Sequence, residues 1–66
     1  MAVLKVIEVL SSSTISWEEA TRNAVDEASK TVKNIRSVYV KEQSAMVEGG
    51  KVSEYRVNIK LTFEIE

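Results

Sequence analysis

The 66 residues contain no cysteine and no histidine, and the only two glycines stand side by side as Gly49 and Gly50. Without cysteine there is no disulfide, and without either residue there is no zinc site built from the usual nitrogen and sulfur ligands. Nucleophilic and acid–base catalysis lose their commonest agents at the same time. With both glycines in one pair, no glycine-rich loop remains to cradle a phosphate. An excess of charge of one sign is also lacking. Nine basic residues stand against ten acidic ones, a formal net charge of −1, so nucleic acid is not an expected partner. Long hydrophobic runs are missing too: the most apolar stretch, residues 2–10, is interrupted by Lys5 and Glu8 and is far short of the roughly 20 residues that span a bilayer. It also lacks a cationic segment followed by a small-residue cleavage site, so no signal peptide is expected. These absences together describe a soluble, cytoplasmic non-enzyme with no membrane partner.

What is present must still fold. A chain of this length supports a single domain, 1–66, and buries only about 60% of its unfolded surface. The hydrophobic gain then barely exceeds the entropy of ordering the chain. With disulfides and Cys/His metal sites excluded, the remaining supplements are partner subunits or an oxygen-ligated cation such as Ca²⁺ or Mg²⁺. Oligomerisation is the expectation.

Residues 2–10 are rich in aliphatic and β-branched side chains on both faces and predict a strand covered on each side, by a helix and another subunit or by a central place in a sheet. Residues 11–14 read as a polar connector. Ser16-Trp17-Glu18-Glu19 matches the capping box that starts a helix, with Ile15 and Ala20 at the staple positions and Glu18 and Glu19 where the helix dipole favours negative charge. Trp17, Ala20, Ala24, Val25, Ala28 and Val32 form one apolar stripe, and Arg22, Asp26, Glu27, Lys30 and Lys33 form the wet side. The helix is expected to end near Lys33 and Asn34, with Asn34 as a left-handed cap. β-Branched residues return over 35–47, and Gly49-Gly50 supplies a type I′ hairpin turn. Beyond it Tyr55, Val57, Ile59, Leu61, Phe63 and Ile65 alternate with Arg56, Asn58, Lys60, Thr62, Glu64 and Glu66, the pattern of a half-buried strand. The fold class is α+β: a β-α-β-β chain whose three-stranded antiparallel sheet partly wraps one helix. Its two open edges need pairing or protection.

Few side chains carry chemistry. Ser11, Ser12, Ser13 and Ser16 have no candidate base nearby and read as connector and cap residues. Trp17, in the first helical turn on the apolar side, reads as a packing residue or a subunit contact rather than a stacking platform. Glu18, Glu19 and Glu42 lack the spacing of a calcium loop. Arg36, Lys41, Arg56 and Lys60 lie on the polar face of the hairpin and read as partners in ion pairs with Glu42, Glu54 or Glu64.

Taken in order, Val3-x-Lys5-Val6-Ile7-Glu8-Val9, Ser16-Trp17-Glu18-x-Ala20, Ala24-Val25-x-x-Ala28, the crossover over 32–40 and the strand over 55–63 resemble dodecins, flavin-binding proteins whose β-α-β-β subunits form a hollow sphere of twelve. The likeness covers nearly the whole chain and implies a homododecamer that binds a small molecule. It also implies a flavin site in which a tryptophan near the start of the second strand stacks on the isoalloxazine ring. In that site a glutamine after the aromatic residue of the third strand bonds the ring's polar edge. At those positions this sequence has Ser37 and Arg56, so flavin binding is expected to be lost. The Ser-Trp-Glu helix start and the Ile35-Arg36 and Tyr55-Arg56 pairs are closer to a branch of the family without the tryptophan that is associated with calcium. The site residues that the resemblance implies are Arg36, Ser37, Glu42 and Arg56, with the metal ligands left open and calcium or another cation as a candidate. Two rivals stand beside this: a flavin store in which Tyr39 or Arg56 replaces the missing ring, and a structural or interaction oligomer with no ligand.

Overall fold

The computed structural model describes residues 2–65, so Glu66, the last member of the alternation, lies outside the described residues. The elements run β1 (Val3–Ser13), α1 (Trp17–Ala28), β2 (Ile35–Glu48) and β3 (Lys51–Ile65), the expected β-α-β-β order. All pairings are antiparallel, and the sheet order is β1-β3-β2. The C-terminal strand is therefore central. Its alternation places Val57, Ile59 and Leu61 under the helix, where they pack against the small side chains Ala20 and Ala24 to form the buried core. Ile7, Val9, Trp17, Val25, Ala28 and Ile35 close around it.

The helix begins as predicted. Ser16 is the N-cap, and its hydroxyl accepts from the Glu19 amide at 3.0 Å. The Glu19 carboxylate stands 3.8 Å from Arg22. Ile15 is 71% exposed, so the expected hydrophobic staple is not made. The helix also ends earlier than its stripe suggested, at Ala28 with Ser29 as C-cap. Backbone bonds from Lys30 to Glu27 and from Thr31 and Val32 to Ala28 carry one more irregular turn. Asn34 does adopt the left-handed conformation, φ 63°, but as the entry to β2, where its carbonyl accepts from the Glu64 amide at 3.0 Å. The connector was also misplaced. Ser11, Ser12 and Ser13 continue β1 because Val57, Arg56 and Tyr55 of the long central strand stand opposite them. The Ser11 hydroxyl donates to the Ala20 carbonyl at 2.8 Å and ties β1 to the helix. The two-glycine turn forms as expected, with φ 60° at Gly49 and 78° at Gly50.

Candidate functional site

One helix covers one face of the sheet, and the other face is open. Residues that stand opposite one another across antiparallel strands share a face, so the register lists the open one. β1 contributes Leu4, Val6, Glu8, Leu10 and Ser12, opposite Glu64, Thr62, Lys60, Asn58 and Arg56 of β3. β2 contributes Ser37, Tyr39, Glu42, Ser44 and Met46. The pairing shifts between Ile35 and Ser37 and again between Val40 and Glu42. Such bulges turn Arg36 and Lys41 toward the same side, where Arg36 Nε donates to Glu64 Oε1 at 3.0 Å and Lys41 Nζ to Glu8 Oε2 at 3.5 Å.

All four residues implied by the family resemblance therefore belong to one face, but they form two groups. Arg36, paired with Glu64, and Ser37, opposite Thr62, lie where β2 begins. Glu42 and Arg56 lie toward the hairpin and line a shallow groove of about 440 Å³ with Leu10, Ser12, Ser44 and Asn58. Thr62 and Arg56 are six residues apart on β3, about 20 Å at the rise of a strand, so Ser37 and Arg56 of one chain are too far apart to grip one small molecule.

Of the acids expected as partners for the basic residues, Glu42, Glu54 and Glu64, Arg56 takes Glu54. Its Nε donates to Glu54 Oε1 at 3.3 Å, on the same strand. Among the described residues ion pairing accounts for Arg36, Lys41 and Arg56, with Glu8 rather than Glu42 as the partner of Lys41, whereas Lys60 enters no ion pair. Beside Glu8, the Asn58 amide and then the Lys41 ammonium hold the carboxyl below the usual carboxylate range, with Lys60 adding to the effect. The Asn58 side-chain oxygen is buried without a hydrogen-bond partner among the described residues. Among the described residues there is no group of three or more acidic side chains placed to hold a metal ion. A cation bound by one chain would rely on no more than two carboxylates together with neutral oxygens, or on a second copy for more. Among the described residues no helix is long and apolar enough to cross a membrane.

Trp17 does what its position in the first turn predicted. It stacks edge-on against Tyr55, centroids 5.0 Å apart at 75°, and its indole nitrogen donates to the Ser44 carbonyl at 2.9 Å. Helix start, β2 and β3 are thereby joined behind the groove. Sequence reasoning missed Asn58, Ser12 and Ser44 as lining residues. The alternation of β3 already placed Asn58 beside Arg56, whereas Ser12 and Ser44 enter only through the register of three strands.

The family model for dodecins matches residues 3–66. The calcium dodecin of Mycobacterium tuberculosis is 35% identical over 65 residues, covering 98% of this chain and 92% of that protein. Its crystal structure, described as that of a calcium-chelating antigen with a novel calcium-binding site, superposes with a TM-score of 0.84 at 37% identity, covering 97% of this chain and 91% of that one. The dodecin of Streptomyces coelicolor has a TM-score of 0.94 at 32% identity, with 98% and 93% of the two chains covered. An Arg-to-Ala variant of the Thermus thermophilus dodecin also reaches 0.94, at 29% identity and with 100% and 98% covered.

Proposed function

From the chain's membership of the dodecin family, we propose that this small-ligand-binding protein is a non-enzymatic, cytoplasmic homododecameric cage that takes up a small ligand or cation in place of flavin. The observation that carries the reading is Ser37. It lies on the open face of the sheet, opposite Thr62, at the position where the family resemblance calls for a ring-stacking tryptophan, and a hydroxymethyl group offers no π surface. Arg56, at the position of the flavin-bonding glutamine, brings donors only. The calcium named for the Mycobacterium relative supports a cation as the substitute, and Glu42 in the groove supplies a carboxylate for it. A ligand as large as a flavin that used both positions would take Ser37 from one subunit and Arg56 from another.

Tyr39 favours a second reading. It is two residues beyond Ser37 on the open face, opposite Lys60, and 65% exposed, so its ring is available to replace the missing tryptophan in a flavin store. Native mass spectrometry of protein purified without chelator separates the readings. The expected species is twelve subunits without flavin, losing mass in cation-sized steps when chelator is added. A retained flavin mass would establish the second reading, and a monomer or dimer would overturn the cage.

A further inference from the structure

The register of the open face sets its side chains in rows across the three strands. Ser12, Arg56 and Ser44 make one row, and Leu10, Asn58 and Glu42 make the next, about 7 Å away at the rise of a strand. Both rows line the groove. The first can donate throughout. Arg56 Nε is held by Glu54 at 3.3 Å, which leaves the terminal Nη groups without a bond among the described residues, and a serine hydroxyl stands on either side. The second row ends in acceptors. Glu42 brings a carboxylate, and Asn58, whose amide supports the charged form of Glu8, brings a buried side-chain oxygen with no partner among the described residues. The charges are nevertheless balanced. Asn58 stands opposite Glu42, so Arg56 and Lys60, two residues to either side on β3, are both diagonal cross-strand neighbours of that carboxylate. A ligand with a net charge of either sign is attracted by one member of this set and repelled by another. One that carries both charges, with its anion over the first row and its cation over the second, is attracted at both ends.

We infer that the groove binds a free aliphatic α-amino acid as its zwitterion: the α-carboxylate accepts from the Arg56 Nη groups and the serine hydroxyls, the α-ammonium donates to Glu42 and to Asn58 Oδ1, and the side chain lies against Leu10. Both ligand charges sit on one carbon. With a charge-assisted hydrogen bond of about 2.8 Å at each end they bridge two neighbouring rows, which the distant termini of a peptide would overshoot. A quaternary amine would leave Asn58 Oδ1 without a donor. The inference rests on the small-ligand arm of the proposed function rather than on its cation arm. Calorimetric titration of the assembled protein with L-leucine, N-acetyl-L-leucine and L-leucinamide tests it, because the last two keep the carboxylate alone and the ammonium alone. Leucine should bind about tenfold more tightly than either, the weight of one hydrogen bond to a charged group. That comparison needs no substitution, so it does not depend on a variant that folds. Glu42→Gln should then erase the discrimination against N-acetyl-leucine and keep that against leucinamide, and Arg56→Gln should do the reverse. Equal affinity of the parent for all three compounds, or variants that weaken all three alike, overturns the inference. Leucine left unbound by a protein that native mass spectrometry finds carrying another small molecule or a cation overturns it and leaves the proposed function standing. If the protein carries neither, both fall.

Discussion

Glu8 shows how much a single side chain can integrate on a three-stranded sheet. It sits on β1 opposite Lys60 of the central strand and receives Lys41 from β2 at 3.5 Å, so its carboxylate links both edge strands across the middle one. Asn58 and the two lysines favour its charged form and lower its pKa. A carboxyl with a lowered folded pKa adds stability that is fully present above its unfolded pKa and disappears as the pH falls through the folded one. Unfolding midpoints should therefore be flat around neutrality and decline below the ordinary carboxylate range. In Glu8→Gln the acid side of that decline should be shallower, and an identical pH profile in the variant would show that Glu8 carries none of it. Ser16 acts locally instead. Its hydroxyl satisfies the Glu19 amide at 3.0 Å, and Ser16→Ala should cost about 1 kcal/mol in denaturant melts; an unchanged midpoint would mean that the cap contributes nothing.

Among the elements, the β2–β3 hairpin depends most on its turn. Gly49 and Gly50 hold φ 60° and 78°, the pair of positive values that matches the twist of the strands, and an added Cβ at either position would meet no atom within 4 Å. Replacing Gly50 with alanine should therefore cost only the backbone penalty of a left-handed residue, about 1 kcal/mol, and Gly50→Asn should cost less because asparagine tolerates that region. Equal losses for the two variants would point to a cause other than φ. This turn was legible in the sequence because glycine's conformational freedom is local, and for the same reason the Ser16 cap and the period-2 alternation of β3 were legible. The end of the helix was not. Val32 keeps the helical spacing and Asn34 suits a cap, but Ser29, Lys30 and Thr31 carry no local stop signal, and the chain must leave the helix in time to enter β2. The three serines of β1 misled for a related reason: their strand conformation is imposed by partners more than forty residues away. In the candidate site, alternation alone would divide the adjacent Arg36 and Ser37 between the two faces, and it is the bulges between Ile35 and Ser37 and between Val40 and Glu42 that bring Arg36, Ser37, Glu42 and Arg56 to one face. The choice of Glu54 by Arg56, and of Glu8 by Lys41 across a bulge, depends on register and rotamers that no sequence spacing states.

The whole molecule is too extended to be self-sufficient. Its radius of gyration is 13.5 Å with extents of 50 × 20 × 13 Å, whereas a compact chain of this length would measure about 11 Å. Its accessible surface of 4947 Å² exceeds the roughly 4200 Å² typical of a folded monomer of 7.4 kDa. Leu4, Val6 and Leu10 are more than half exposed on the open face of β1, and both sheet edges are unpaired in the single chain. These features suit a subunit whose remaining burial comes from other copies, which is also where a flavin-sized site would have to be completed, since Ser37 and Arg56 of one chain are some 20 Å apart along the strands. Restoring that site is consequently a test of position and of assembly together. Ser37→Trp supplies an aromatic plane worth about 1 kcal/mol beyond its buried area, and Arg56→Gln supplies both a donor and an acceptor for the ring's polar edge, where arginine has donors only. Neither substitution alone completes the site, because the tryptophan would still face a guanidinium and the glutamine would still lack a ring to orient. The assembled double variant should quench riboflavin fluorescence far more strongly than the parent or either single variant. Strong quenching by the unmodified protein would show that Ser37 is not the residue in the ring-stacking position, or that Tyr39 already fills that role.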